Sequence, residues 1–328
     1  IGLKLFKRGK QKPSFKVTKP NWVNLKDFAK SLKALFNRKE YLTAAVPMAG
    51  MFIIWLALSA IGLYFAYTLL ASLSMSVMMI MYGMMTVSSL LFAILEFLGL
   101  LFLVLVLGFL FYALQVGLRY AYLARIEKED KKVTATVIWN RFKHLRKNQL
   151  LRLCLYVSLF IFLWRLPLMI IGDIWSSNKI VAYTTMIGNY LILIWKSLQY
   201  SQAIYLYREK QPQFLGQSMR HALTASKRFM AGFKLNYLVV YLLFEVLPVA
   251  IWSALTGGLV YYGIYTATNP LIWIGAVLLV LGLGALVPYC SMVSALYFHE
   301  TSKKVKVENM YADTFKPVEQ LTGEAYDD

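Results

Sequence analysis

Charge is scarce in this sequence: only 16% of its 328 residues are Asp, Glu, Lys or Arg, against 59% that are hydrophobic. Histidine is rarer, with three copies, and cysteine rarer still, with two. Each scarcity excludes a class of function. Cys154 and Cys290 both fall inside long apolar runs, so neither a disulfide framework nor a thiolate metal cluster is expected, and both read as small buried side chains. His144, His221 and His299 lie in polar segments or at their edges, with no His-x-x-x-His or His-Glu-x-x-His pair to hold zinc. Also missing are a Gly-x-Ser-x-Gly nucleophile elbow, a Gly-x-x-x-x-Gly-Lys-Ser/Thr phosphate loop and paired acids at membrane depth. The sequence points away from an enzyme, and neither a metal nor another cofactor is expected.

Uninterrupted hydrophobicity is what the chain has in abundance. Leu90 to Gly117 is broken only by Glu96 and Gln115, and Leu271 to Leu296 has no charge at all. A helix rises about 1.5 Å per residue, so roughly 20 apolar residues cross the ~30 Å hydrocarbon layer. Short alternating strands of the kind that build a membrane barrel are not seen. The expected fold is all-α: a polytopic transmembrane helix bundle of about six spans with amphipathic cytoplasmic helices. The spans are placed near residues 41–73, 90–118, 150–172, 181–204, 235–258 and 271–297. This divides the chain into a basic segment 1–40, a six-span domain 41–297 and an acidic tail 298–328.

The net charge of +19 follows the same division. All but three of the 35 Lys and Arg residues lie in or beside segments 1–40, 119–149, 205–234 and 298–328; the exceptions are Arg165, Lys179 and Lys196. Short loops this lopsided place both termini in the cytoplasm by the positive-inside rule. The charge then reflects topology and attraction to anionic lipid headgroups on the cytoplasmic face, and no nucleic-acid partner is expected. The first 40 residues are basic and polar, so no signal peptide is read there.

Before the first span, Asn24 and Asp27 form a cap for a helix whose Leu25, Phe28, Leu32, Leu35 and Phe36 recur on one face. That stripe suits either a helix lying in the inner leaflet or one packed on the protein's own cytoplasmic side. Comparable basic amphipathic stretches surround Ile138 and Leu223, each ahead of a pair of spans. The even-numbered spans leave the membrane through similar segments: AYLARIEK from Ala121, AIYLYREK from Ala203 and ALYFHETS from Ala295. Either three helix-plus-hairpin units are repeated or the usual interfacial belt recurs. Outside, the first link is SMSVMMIMYGMMTVSS from Ser74, about 16 uncharged residues with six Met, read as surface-lying, re-entrant or the ends of long spans.

Four ionisable residues fall within the spans or at their edges: Glu96, Arg165, Lys196 and Glu245. A charge at mid-membrane costs at least ~2.5 kcal/mol, so it is normally paired or lines a polar cavity. Lys196 and Glu245 come within reach of one depth and are expected to pair across spans four and five. Ser197, Gln199, Ser201 and Gln202 make the surroundings of Lys196 polar. Arg165 is expected to snorkel outward or to meet Asp173. Pro47, Pro167, Pro248 and Pro288 each free a helix carbonyl.

The runs GLRYAYLARIEKEDKK, FLWRLPLMIIG, YLYREKQPQF, ALTASKRFMAGFKLNYLVVYLLFEVLP and VPYCSMVSALYFHE resemble the bacterial integral membrane family designated domain of unknown function 975. The likeness covers roughly residues 110–300, and Ser226, Met230, Gly232, Lys234, Pro288, Tyr289 and Tyr297 carry it most clearly. It implies a six-span bacterial cytoplasmic membrane protein and supplies no activity or catalytic residues. The functional expectation is a non-enzymatic accessory or partner subunit in a cell-envelope process, with a protein partner in the membrane. The alternative is a small transporter or lipid-handling protein using a polar site around Lys196. A filled interior favours the first, and an open polar cavity at depth favours the second.

Overall fold

A computed structural model describes residues 22–83, 87–129, 132–311 and 314–315. The basic stretch 1–21 and most of the acidic tail lie outside them. The described residues form an all-helical bundle, and five helices are long and apolar enough to cross a membrane. These are α2 (Arg38–Met81), α3 (Val87–Ile126), α5 (Lys147–Ile174), α11 (Asn269–Ser302), and the run of α9 (Lys234–Tyr241) into α10 (Leu247–Tyr265) through a π-helical turn. Between them lie α1 (Leu25–Leu35), α4 (Ala135–His144), α6 (Lys179–Tyr200), α7 (Ala203–Glu209) and α8 (Arg220–Phe229), and α12 (Val307–Met310) ends the fold.

A hydrogen bond just past its end marks α6 as a sixth span, although it is more polar than the other five. Tyr207, just beyond α6, donates its hydroxyl to the Oε1 of Gln149 in the first turn of α5. The α5–α6 hairpin therefore starts and finishes at one level, and α6 must run back as far as α5 runs out. Its 22 residues rise about 33 Å, enough to cross the hydrocarbon. Burial pushes the Tyr207 phenol up to about 12, so it stays a neutral donor at physiological pH.

All the span ends on this side meet in one buried layer. The five residues Ala203 to Tyr207 are buried in succession, so α7 is enclosed on every side. Tyr205 stacks on Phe298 of α11 at 4.9 Å and donates to the Oγ of Ser294 at 3.1 Å. Tyr120 of α3 donates to the carbonyl of Ile204 at 2.8 Å. Tyr297 donates to the Oδ1 of Asn236, whose amide also bonds both backbone groups of Val23. Ion pairs ring the layer: Arg125 with Glu40, and Arg208 with Glu127 at 3.0 Å and Glu129 at 3.2 Å. The three exit segments recognised in the sequence are thus the three pieces packed together here.

An amphipathic helix precedes each hairpin, so one order of elements occurs three times: α1 before α2–α3, α4 before α5–α6, α8 before α9–α11. The centre of the α1 stripe is spent on the protein, while Phe36 at its end stays exposed. Phe28 and Leu32 are buried, with Phe28 meeting Phe244 edge-on at 5.2 Å. The link after the first span is shorter than expected. Residues 74–81 continue α2, because a run of Met, Ser, Val and Ile holds no helix terminator before Gly83, whose φ of 70° ends it. The 44 residues of α2 rise about 66 Å, roughly twice the hydrocarbon thickness.

Away from the buried layer, lipid is as apolar as the side chains, so helices need close backbone approach to stay together. Gly284 of α11 supplies it against α2: a Cβ there would fall 2.8 Å from the Ala49 Cα. Gly284→Leu should therefore cost about 1–3 kcal/mol through overpacking. Gly257→Leu, at a site with nothing within 4 Å of an added Cβ, should cost far less. Thermal melts in mild detergent, followed by intrinsic fluorescence, check the contrast.

Candidate functional site

The polar residues expected in the membrane do not gather at one point. Lys196 and Glu245 make no ion pair among the described residues. The Lys196 ammonium instead lies 3.5 Å from the centroid of the Trp164 ring on α5. The cause is azimuth: consecutive helix residues are separated by about 100°, and it is Ser197 that faces the α9 side. Glu96 is exposed, about 35 Å of helix axis from Arg119 at the packed end of α3. Arg165 neither reaches the surface with its Nε nor pairs with Asp173 among the described residues; that buried nitrogen has no hydrogen-bond partner. It shares a helix face with Gly172, whose added Cβ would fall 2.9 Å from Thr185 of α6. Arg165 is therefore directed into the α5–α6 seam.

Glu245 shares a cleft with a different cation. Between α6 and α9 runs a cleft of ≈ 460 Å³. Ser197 and Ser201 line its α6 wall, Tyr237, Tyr241 and Glu245 the opposite wall, and Arg119 and Ser294 its back. Arg119 and Glu245 line this one cleft without a direct ion pair between them among the described residues. Neither is satisfied by the protein: the Nε of Arg119 and the Oε1 of Glu245 are buried without a hydrogen-bond partner. Leaving such atoms unpaired is expensive in a low-dielectric setting, and a cleft between them is where water or a ligand's polar groups complete them.

Local chain chemistry aims Glu245 inward. Pro248 lacks the N–H that would bond the Phe244 carbonyl four residues back. The helix responds with a π turn over Leu242–Val246, in which the Leu247 N–H reaches the Leu242 carbonyl, five residues earlier. Such single-turn bulges often mark functional sites because they re-aim the side chains they carry. On the facing wall, α6 ends at Tyr200 and α7 restarts at Ala203, so Ser201 and Gln202 interrupt the helix beside the cleft.

The mouth faces sideways. Ile194 and Tyr241 at its rim are 46% and 39% exposed, and both sit within spans, where exposure means contact with lipid. The arrangement can hold a group bearing negative and positive charge, or several hydroxyls, while apolar matter remains in the bilayer. Among the described residues no group of three or more His, Cys, Asp or Glu could hold a metal ion. Proline-248 was legible as a helix break, but Arg119 looked like one more basic residue at a span end. No family model, curated protein or solved structure matches the chain.

If Arg119 and Glu245 stabilise each other across the cleft, their substitutions cannot be independent. Arg119→Gln and Glu245→Gln should each lower the melting temperature by leaving one charge unopposed, and the double variant should recover part of the loss. Strictly additive losses in a melting series would show that the two do not interact.

Proposed function

We propose that this is a lipid-handling protein of the bacterial cytoplasmic membrane, with both termini in the cytoplasm, that takes the polar head of an amphiphile into the cleft between α6 and α9. The observation that carries this reading is a basic and an acidic side chain, each with a buried polar atom left without a partner, in one cleft whose rim residues are exposed within spans. Arg119 receives the anionic part of the head, most naturally a phosphate, through donors the protein does not use. Glu245 receives an ammonium or hydroxyl, and Ser197, Ser201 and Tyr241 offer further hydrogen bonds. The apolar tail never leaves the lipid phase, so a laterally open site avoids the penalty of transferring it through water. An accessory subunit in an envelope process expects a filled interior, and the open cleft supports the lipid-handling alternative over it. The likeness to domain of unknown function 975 accords with the proposed bacterial setting.

Two measurements test this reading. Native mass spectrometry of the protein loaded with phosphatidylethanolamine, whose head carries both a phosphate and an ammonium, should find about one such lipid retained per chain in mild detergent, and Arg119→Gln or Glu245→Gln should reduce that occupancy at least tenfold, roughly 1.4 kcal/mol. Unchanged retention in both variants would remove the cleft as the binding site. Orientation is tested by single cysteines: one at Lys179 should react with an impermeant maleimide in intact cells, and one at Lys316 only after permeabilisation. The reverse pattern would invert the topology.

A further inference from the structure

A second feature lies on the other side of α6, outside the cleft. Lys196 sits 3.5 Å from the Trp164 ring centroid, and Lys234, the first residue of α9, sits 4.1 Å from that of Trp195. Lys227 is exposed on α8, one residue past the Ser226 that bonds the end of α6. Three cations therefore converge where α6, α8 and α9 meet, and none of them has a carboxylate partner among the described residues. The region is fixed in place by Ser226, which donates to the Gln199 carbonyl at 2.8 Å and joins α8 to the end of α6.

Like charges gathered at a membrane boundary repel one another, and two indole faces offset only part of that. A cation over a ring also keeps N–H donors that need an acceptor. Directly beside Lys196 is a largely apolar hollow of ≈ 450 Å³, lined by Trp164, Leu191, Ile192 and Trp195. Leu191 and Ile192 lie further from the packed end along α6 than Lys196 does. Positive charge at the membrane boundary thus passes into an apolar groove directed toward the bilayer centre, the same sequence of chemistry that a phospholipid presents from headgroup to acyl chain.

We infer that Lys196, Lys227 and Lys234, with Trp164 and Trp195, form a docking site for an anionic phospholipid, its phosphodiester among the three ammonium groups and the start of one acyl chain in the groove. Three cations without an acid favour a headgroup that has no ammonium of its own. The site is independent of the cleft, since Ser197 faces the cleft and Lys196 faces away from it. A lipid held here links the α5–α6 hairpin to the α8–α9 corner.

The test compares retention of phosphatidylglycerol and phosphatidylcholine by the full chain in nanodiscs of mixed composition, read by native mass spectrometry after detergent transfer. Wild type should retain phosphatidylglycerol at least about tenfold over phosphatidylcholine, and the triple variant Lys196→Gln, Lys227→Gln, Lys234→Gln should lose that preference. Arg119→Gln should keep it, which separates this site from the cleft. Lys227→Gln alone, on the exposed face of α8, should weaken retention several-fold and serves if the triple variant does not fold. A folded triple variant, or Lys227→Gln, that retains phosphatidylglycerol as wild type does overturns the site. Full displacement by inorganic phosphate at millimolar concentration would overturn the assignment to a lipid, leaving a simple anion site.

Discussion

The enclosure of α7 between the ends of α3 and α11 is the contact on which the rest of the bundle depends. In a bilayer, hydrophobic side chains gain nothing by leaving lipid for one another. Specific association must come from close packing and from hydrogen bonds, and both concentrate at the packed end. Tyr120, Tyr205 and Tyr297 each place a ring in the buried layer and a hydroxyl on a neighbouring helix. Asn236 draws the chain at Val23 into the same layer. The spans above it are held by fewer devices, such as the glycine at 284 against α2.

That unequal packing explains where a cleft can exist. The α5–α6 hairpin is secured at its base by Tyr207, Ser226 and the buried α7, whereas α6 packs chiefly on α5 above that level. The space left beside α9 is not apolar, because the π turn before Pro248 points Glu245 into it and α3 supplies Arg119. Two local irregularities, the break at Ser201–Gln202 and the π turn, each bring a polar side chain to the opening, Ser201 and Glu245. Regular helices at both positions would have left a seam rather than a site.

Much of the fold was legible in sequence because the ~30 Å hydrocarbon layer demands long apolar runs, and the three Tyr-bearing exits marked the segments that become the buried layer. What escaped was direction around a helix axis. Depth along a span follows from counting residues, but whether Lys196 or Ser197 faces α9 depends on how α6 docks, and a one-residue error moves a side chain about 100°. The stripe of α1 has the same moment whether lipid or protein covers it, and only packing shows that Phe28 goes to Phe244 while Phe36 is left exposed. Arg119 was concealed by the positive-inside rule itself, which supplies a routine reason for a cation near a span end. Of the three readings open for the Met-rich link, the structure takes the ends of long spans for residues 74–81, since nothing before Gly83 stops a helix.

The interruption at Ser201–Gln202 also gives the hairpin the mechanics of a cantilever. One end of α6 is anchored in the layer through α7, and the other continues into α5 through the short turn at 175–178. Any load on the free end is delivered to the place where the helical backbone is discontinuous, so bending concentrates there instead of spreading along the span. Ser226 holds Gln199 just short of that point, so the layer beneath keeps its shape whatever load the outer part of the hairpin carries.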